Sequence, residues 1–244
     1  MARRNSAKDT IELRVGLNRK CVLVHKHILA KSHFFASLMS KYPNPGDTPR
    51  AFSFKNFDTY AFATVIYWLY QGNIRSIAED YKADDIFHMT HMVKVYCLCV
   101  TLQLRSLRNL AIELLGHGYL KNDSAPSIEE IDIAYSETEH ESSLRIYLAT
   151  WAQCRQYAPL QKYMMAGPWN QDRFKALCKK HPDLAATMGS LHENTSSVGL
   201  KSINPRFHEI CWYHEHPEGE RCGVADQTFE TASNGVKSRL SEPI

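Results

Sequence analysis

The sequence predicts an α+β fold, a small sheet with packed helices, followed by an all-helical extension. Three observations predict it. Ile11-Glu-Leu-Arg-Val15 alternates apolar and charged residues and is followed, across a short turn, by the apolar run Cys21–Val24. Apolar residues then recur at helical spacing in three successive stretches. Beyond Pro126 a capping-box pattern, Ser127-Ile-Glu-Glu130, opens a further helical series with no strand signal after it.

Each element has a local reason. Gly16–Lys20 supplies the turn that makes the first two strands a hairpin. Ser32 stands at an N-cap position before Phe34, Phe35, Leu38 and Met39, which share one helix face. Tyr42–Pro49 holds three prolines and a glycine and can only be a loop. Ala51–Phe54 reads as a third short strand, and Asp58 caps the helix that carries Phe62, Val65, Ile66, Leu69 and Tyr70. Gly72 is placed to end it in a left-handed conformation. Ile77–Phe87 is a charged link. Met92, Val95, Tyr96, Cys99 and Leu102 form the next stripe, Ser106 is the expected cap between helices, and Leu107, Leu110, Ala111, Leu114 and Leu115 form the third.

After Ser127, the stripe Leu144, Tyr147, Leu148 and Trp151 predicts a long helix. Phe174, Leu177 and Cys178, then Leu184 and Met188, predict one or two short ones. The chain divides into a domain over 10–116, with its core signature at about 10–75, a helical extension over 127–190, and a linker and mostly disordered tail over 191–244. Within that tail, about 191–204 reads as linker and 223–244 as disordered. No internal repeat occurs, which excludes a kelch or ankyrin array.

Composition narrows the function. A hydrophobic content of 44% suffices for a sizeable core, and a net charge of +3 implies no general polyanion-binding surface. No run approaches the ~18–20 apolar residues that span a bilayer. The first nine residues are polar and do not form a secretory signal. Seven cysteines, mostly in apolar helical runs, point to reduced thiols in the cytoplasm and/or nucleus. No nucleophile-elbow, phosphate-loop or dinucleotide-binding pattern is present, so no catalytic residue and no cofactor are expected. His25 reads as a packed residue at a strand end and not as half of an acid/base pair with Lys26, and His88, His91, Cys97 and Cys99 read as helix packing.

The strongest metal pattern is Cys211-Trp-Tyr-His214-Glu-His216-Pro-Glu-Gly-Glu-Arg-Cys222. Two thiols and two imidazoles are a tetrahedral zinc set in type. In an extended chain, however, the single residue between His214 and His216 sends them to opposite sides. The expectation is therefore no bound metal: Trp212 and Tyr213 dock on the helical extension and leave the histidines in water. Cys211, His214, His216 and Cys222 remain the zinc candidate.

The stretch Val24-His-Lys26, Ile28-Leu-Ala30, Ser32 and Phe34-Phe35 resembles the signature of the BTB/POZ interaction domain. Asp9 matches the acidic residue that precedes the first strand in that family. Between Leu29 and Ser32 the chain is one residue shorter than the family spacing, which implies a tighter turn. Trp68-Leu-Tyr-Gln-Gly-Asn-Ile74 resembles the ending of the domain's core. Met92-Val-Lys-Val-Tyr96, Leu102-Gln-Leu104 and Leu107–Ile112 resemble its closing helical pair. Ile131–Tyr135 with Ser143-Leu-Arg145 resembles the helical extension that follows the domain in many fungal proteins, where tails like 213–219 also recur.

The resemblance implies a non-enzymatic protein–protein interaction module whose partners are other proteins, with neither nucleic acid nor membrane bound. Two alternatives stay open: a substrate adaptor that docks on a cullin scaffold of a ubiquitin ligase, or a transcriptional regulator with a small zinc-binding tail. Family adaptors carry a hydrophobic-x-Glu motif before the third strand, and Ser40–Pro49 contains none. Only about nine polar residues precede the first strand, where dimeric relatives carry an exchanged element. Weak or absent self-association is the corresponding expectation.

Overall fold

The computed structural model describes residues 9–42, 51–74, 86–157, 170–195, 204–205 and 208–216. Its class is mixed α+β. β1 (Thr10–Val15) pairs antiparallel with β2 (Lys20–His25) across the turn at Gly16–Arg19, and parallel with β3 (Ala51–Phe54), giving the order β2-β1-β3. The register follows the alternation in the sequence. Ile11 lies opposite Val24 and Leu13 opposite Val22, on the buried face. Glu12 lies opposite Leu23 and Arg14 opposite Cys21, on the exposed one.

Helix ends show where local chemistry decides and where it does not. In α3 (Thr59–Gln71) the Asp58 carboxylate accepts from the amides of Tyr60 and Ala61, and Gly72 closes the helix at φ 75°. In α2 (His33–Ser40) Ser32 occupies the N-cap position, but its hydroxyl donates instead to the Leu102 carbonyl at 2.9 Å. A buried carbonyl competes with a local cap for the hydroxyl, because leaving such a group unsatisfied costs ~1–3 kcal/mol. Lys26–Leu29 forms a one-turn helix, α1, that the apolar run did not announce.

α4 (Ile86–Thr101) and α5 (Arg105–Lys121) pack as an antiparallel pair. They are joined through Gln103 at φ 55°, and the cap expected at Ser106 is absent: Leu104 holds the N-cap position of α5 without a side-chain bond. Residues 75–85, the greater part of the expected charged link, lie outside the described residues.

The extension comprises α6 (Ile128–Glu137), α7 (Ser143–Tyr157), α8 (Gln171–Lys180) and α9 (Pro182–Thr195). The capping box at Ser127 and Glu130 is complete, and Leu144, Tyr147, Leu148 and Trp151 are all buried. α9 runs to Thr195, so the first residues of the expected linker, 191–195, are helical. The helix pattern faded there because Leu191 is its last apolar residue, while Leu184 and Met188 already anchor the helix. A second correction concerns the tail: 208–216 is packed against the helices, not part of a disordered segment. Residues 223–244 lie outside the described residues.

Two side-chain clusters fasten the extension. The Arg145 guanidinium donates to the Tyr135 carbonyl at 2.9 Å, to the Thr138 hydroxyl at 3.0 Å, to the Thr138 carbonyl and to Asp183. It thereby joins α6, α7 and α9. Glu130 accepts from Ser127 N, Tyr119 Oη and Thr90 Oγ1, joining α6 to α5 and α4. The hydrophobic core is continuous from Ile11 to Tyr213, with no gap at the interval 117–126 between domain and extension. Among the described residues, no helix is long and apolar enough to cross a membrane.

Glu130 makes a pH prediction. Burial raises its carboxyl above the ordinary 4.5, against the lowering effect of its hydrogen bonds. A raised folded-state pKa means the native protein binds more protons than the unfolded chain above pH 4.5, so stability falls as pH rises through that window. Glu130→Gln should flatten this fall. Thermal melts of both proteins at a series of pH values from 4.5 upward check it, and parallel pH profiles would refute it.

Candidate functional site

The packing leaves two regions to consider, the sheet end and the docked tail. At the sheet end, β2 and β3 each have one neighbouring strand among the described residues, and the outer face presents Glu12, Arg14, Cys21 and Leu23. Leu17 at the hairpin turn is 87% exposed and Leu23 66%, unusual for leucine. Leu17 also lines a groove of about 530 Å³ between the turn and the start of α3, together with Phe57, Asp58, Thr59 and Lys94. The Lys20 ammonium lies 5.9 Å from the centre of the exposed Tyr60 ring beside it.

Behind this surface, His25 and Tyr70 form one unit. The His25 amide donates to Tyr70 Oη at 3.1 Å, and Nδ1 of the ring lies 2.7 Å from the same oxygen. Lys31 Nζ donates to the Leu69 carbonyl at 2.6 Å. His25 thus braces β2 against α3, as expected of a packed residue. His91 is buried against Thr64, with Nε2 2.9 Å from Oγ1. Cys97 and Cys99 are buried, and burial pushes both thiols far above their ordinary value, away from the reactive thiolate. The six described cysteines all carry free thiols.

The tail is held by a clamp that sequence reading did not find. Asn109 Nδ2 donates to the Glu215 carbonyl at 3.1 Å, and the Glu215 amide donates back to Asn109 Oδ1 at 2.9 Å. The Glu215 carboxylate takes Arg108 at 2.7 Å and Tyr96 Oη at 3.1 Å. Burial raises Tyr96 to about 12, which keeps its hydroxyl a donor. A 3₁₀ turn, Ile210–Tyr213, lies on α5 and α7. A Cβ at Gly116 would sit 3.0 Å from Ile210 Cδ1, so glycine permits the close approach. The sequence carries little signal for this: Asn109 and Glu113 stand one helical turn apart, but the polar Ser106 and His117 share their side of the helix.

The clamp partly overturns the expectation for 211–216. Tyr213 does dock, buried with its ring 4.9 Å from that of Tyr147. Trp212 is 71% exposed and does not. His214 is not in water: its side chain is fully enclosed, and burial, reinforced by neighbouring His216, pushes its pKa down to about 4. The chain is not extended here either. The 3₁₀ turn folds Cys211 back so that the candidate ligand atoms of Cys211, His214 and His216 lie within 4.8 Å of one another. Cys222 lies outside the described residues.

No family model, curated protein or solved structure matches this chain.

Removing the Asn109 carboxamide tests the clamp. Asn109→Ala should cost about 1 kcal/mol, since the part-buried Glu215 backbone groups lose their partner. It should also expose 208–216 to proteolysis while the helical circular dichroism is kept. An unchanged cleavage rate would show that the clamp does not hold the tail.

Proposed function

We propose that the chain is a non-enzymatic protein–protein interaction module of the BTB/POZ type, carrying a helical extension. The observation that supports this best is that the residues bearing the sequence resemblance touch one another. His25 of the Val-His-Lys stretch bonds Tyr70 of the Trp-Leu-Tyr stretch, and Ser32 bonds Leu102 of the closing helical pair. Tyr135 and Arg145, on the two segments that resemble the fungal extension, bond one another. Residues quoted from distant segments serve common contacts, as one inherited architecture would require.

The chemistry of the surface is consistent with binding. The helices spend their apolar faces on one another, whereas the sheet keeps an outer face and two edges among the described residues. Exposed strand edges and leucines are what a partner strand or helix engages. Buried thiols fit a reducing compartment, the cytoplasm or nucleus. The cullin-adaptor reading depends on a motif before β3, and residues 43–50 there lie outside the described residues.

A paired capture experiment tests the reading. The wild-type chain and a Leu17→Lys, Leu23→Lys variant are each cross-linked in extract, and bound proteins are identified by mass spectrometry. Both side chains are exposed, so the variant should melt like wild type yet lose at least tenfold of the captured partner. A cullin among the proteins lost would favour the adaptor alternative. Identical capture by both chains, or none by either, would overturn the proposal.

A further inference from the structure

The tail carries a group of three soft and borderline ligands whose placement the interaction reading does not use. Among the described residues, Cys211, His214 and His216 are the one set of three such side chains with converging ligand atoms. Cys211 Sγ lies 3.4 Å from His216 Nε2. Two ligands at ordinary zinc–sulfur and zinc–nitrogen bond lengths stand about 3.6 Å apart across a tetrahedral ion. That pair is already spaced for a metal, and the third ligand atom lies within 4.8 Å of both.

The surroundings suit a metal as well. Glu113 on α5 is buried, and its Oε1 lies 3.7 Å from His214 Nε2. Metal-bound histidines commonly direct their other ring nitrogen to a carboxylate, which fixes the tautomer and raises ligand basicity. The rest of the site is prefolded: the Asn109–Glu215 bonds set the backbone between the two histidines, and Tyr213 anchors the turn.

We propose that Cys211, His214 and His216 bind a divalent ion of the zinc class that secures the tail to α5, with Glu113 positioning His214. Thiolate plus two imidazoles favours zinc over magnesium or calcium, which take oxygen. Binding displaces the Cys211 thiol proton to solvent, and both histidines bind as neutral rings. The fourth position is left to water.

Chelator-treated full-length protein titrated with cobalt(II) alone, and separately with zinc alone, decides the matter. The expected result is one equivalent of tightly bound cobalt with the strong visible bands of a tetrahedral ion and a thiolate-to-cobalt charge-transfer band. Zinc should displace it stoichiometrically. The charge-transfer band should vanish in Cys211→Ser, and affinity should fall at least a hundredfold in His216→Ala. Glu113→Gln should weaken binding ten- to a hundredfold at an unchanged spectrum. No stoichiometric binding, or a weak octahedral spectrum in the wild-type protein, would overturn the site without recourse to any variant. A charge-transfer band that survives Cys211→Ser would overturn it too.

Discussion

Between Met89 and Cys99, α4 keeps almost no solvent face, and most of the architecture follows from that constraint. Met89, Met92, Val93, Val95, Tyr96, Cys97, Leu98 and Cys99 point all round the helix, and each is less than a tenth exposed. A helix that is apolar on every side must be covered on every side. α3, α5 and α6 provide the cover, and the sheet extends the same core. The polar residues on α4 are matched where they meet these neighbours: His91 with Thr64, Lys94 with Asp58, and Thr90 with Glu130. The extension is therefore part of the cover of the first domain's central helix.

That arrangement divides the molecule by use. The helical side is occupied internally, down to a buried arginine whose donors are taken by α6 and Asp183. α5 and α7 present a remaining face on which 208–216 closes, through Gly116, Asn109 and Tyr147. The sheet is left with its outer face and hairpin turn toward solvent. The surface proposed for binding is backed by elements that belong to one core.

Features written within a few residues were legible in the sequence. The alternation in β1, the short β3, the Asp58 cap, the Gly72 stop and the Ser127 capping box each depend on neighbours along the chain. The misreadings have the opposite cause. Ser32 looks like a cap, but Leu102, seventy positions away, takes its hydroxyl. The surface that receives Glu215 is assembled from Tyr96, Arg108 and Asn109, over a hundred residues distant. The histidines of the tail seemed to diverge because an extended chain was assumed. Docking of Tyr213 and Ile210 imposes a 3₁₀ turn, and the turn brings the ligand atoms together.

The most direct test of the shared core is native-state hydrogen exchange on the full chain. If α4 joins sheet and extension in one cooperative unit, the slowest amides of β1, α3, α4 and α7 should open with a single common free energy equal to that of global unfolding. A distinctly lower opening free energy confined to α6 and α7, with α4 still protected, would show that the extension is a separate unit and contradict the account.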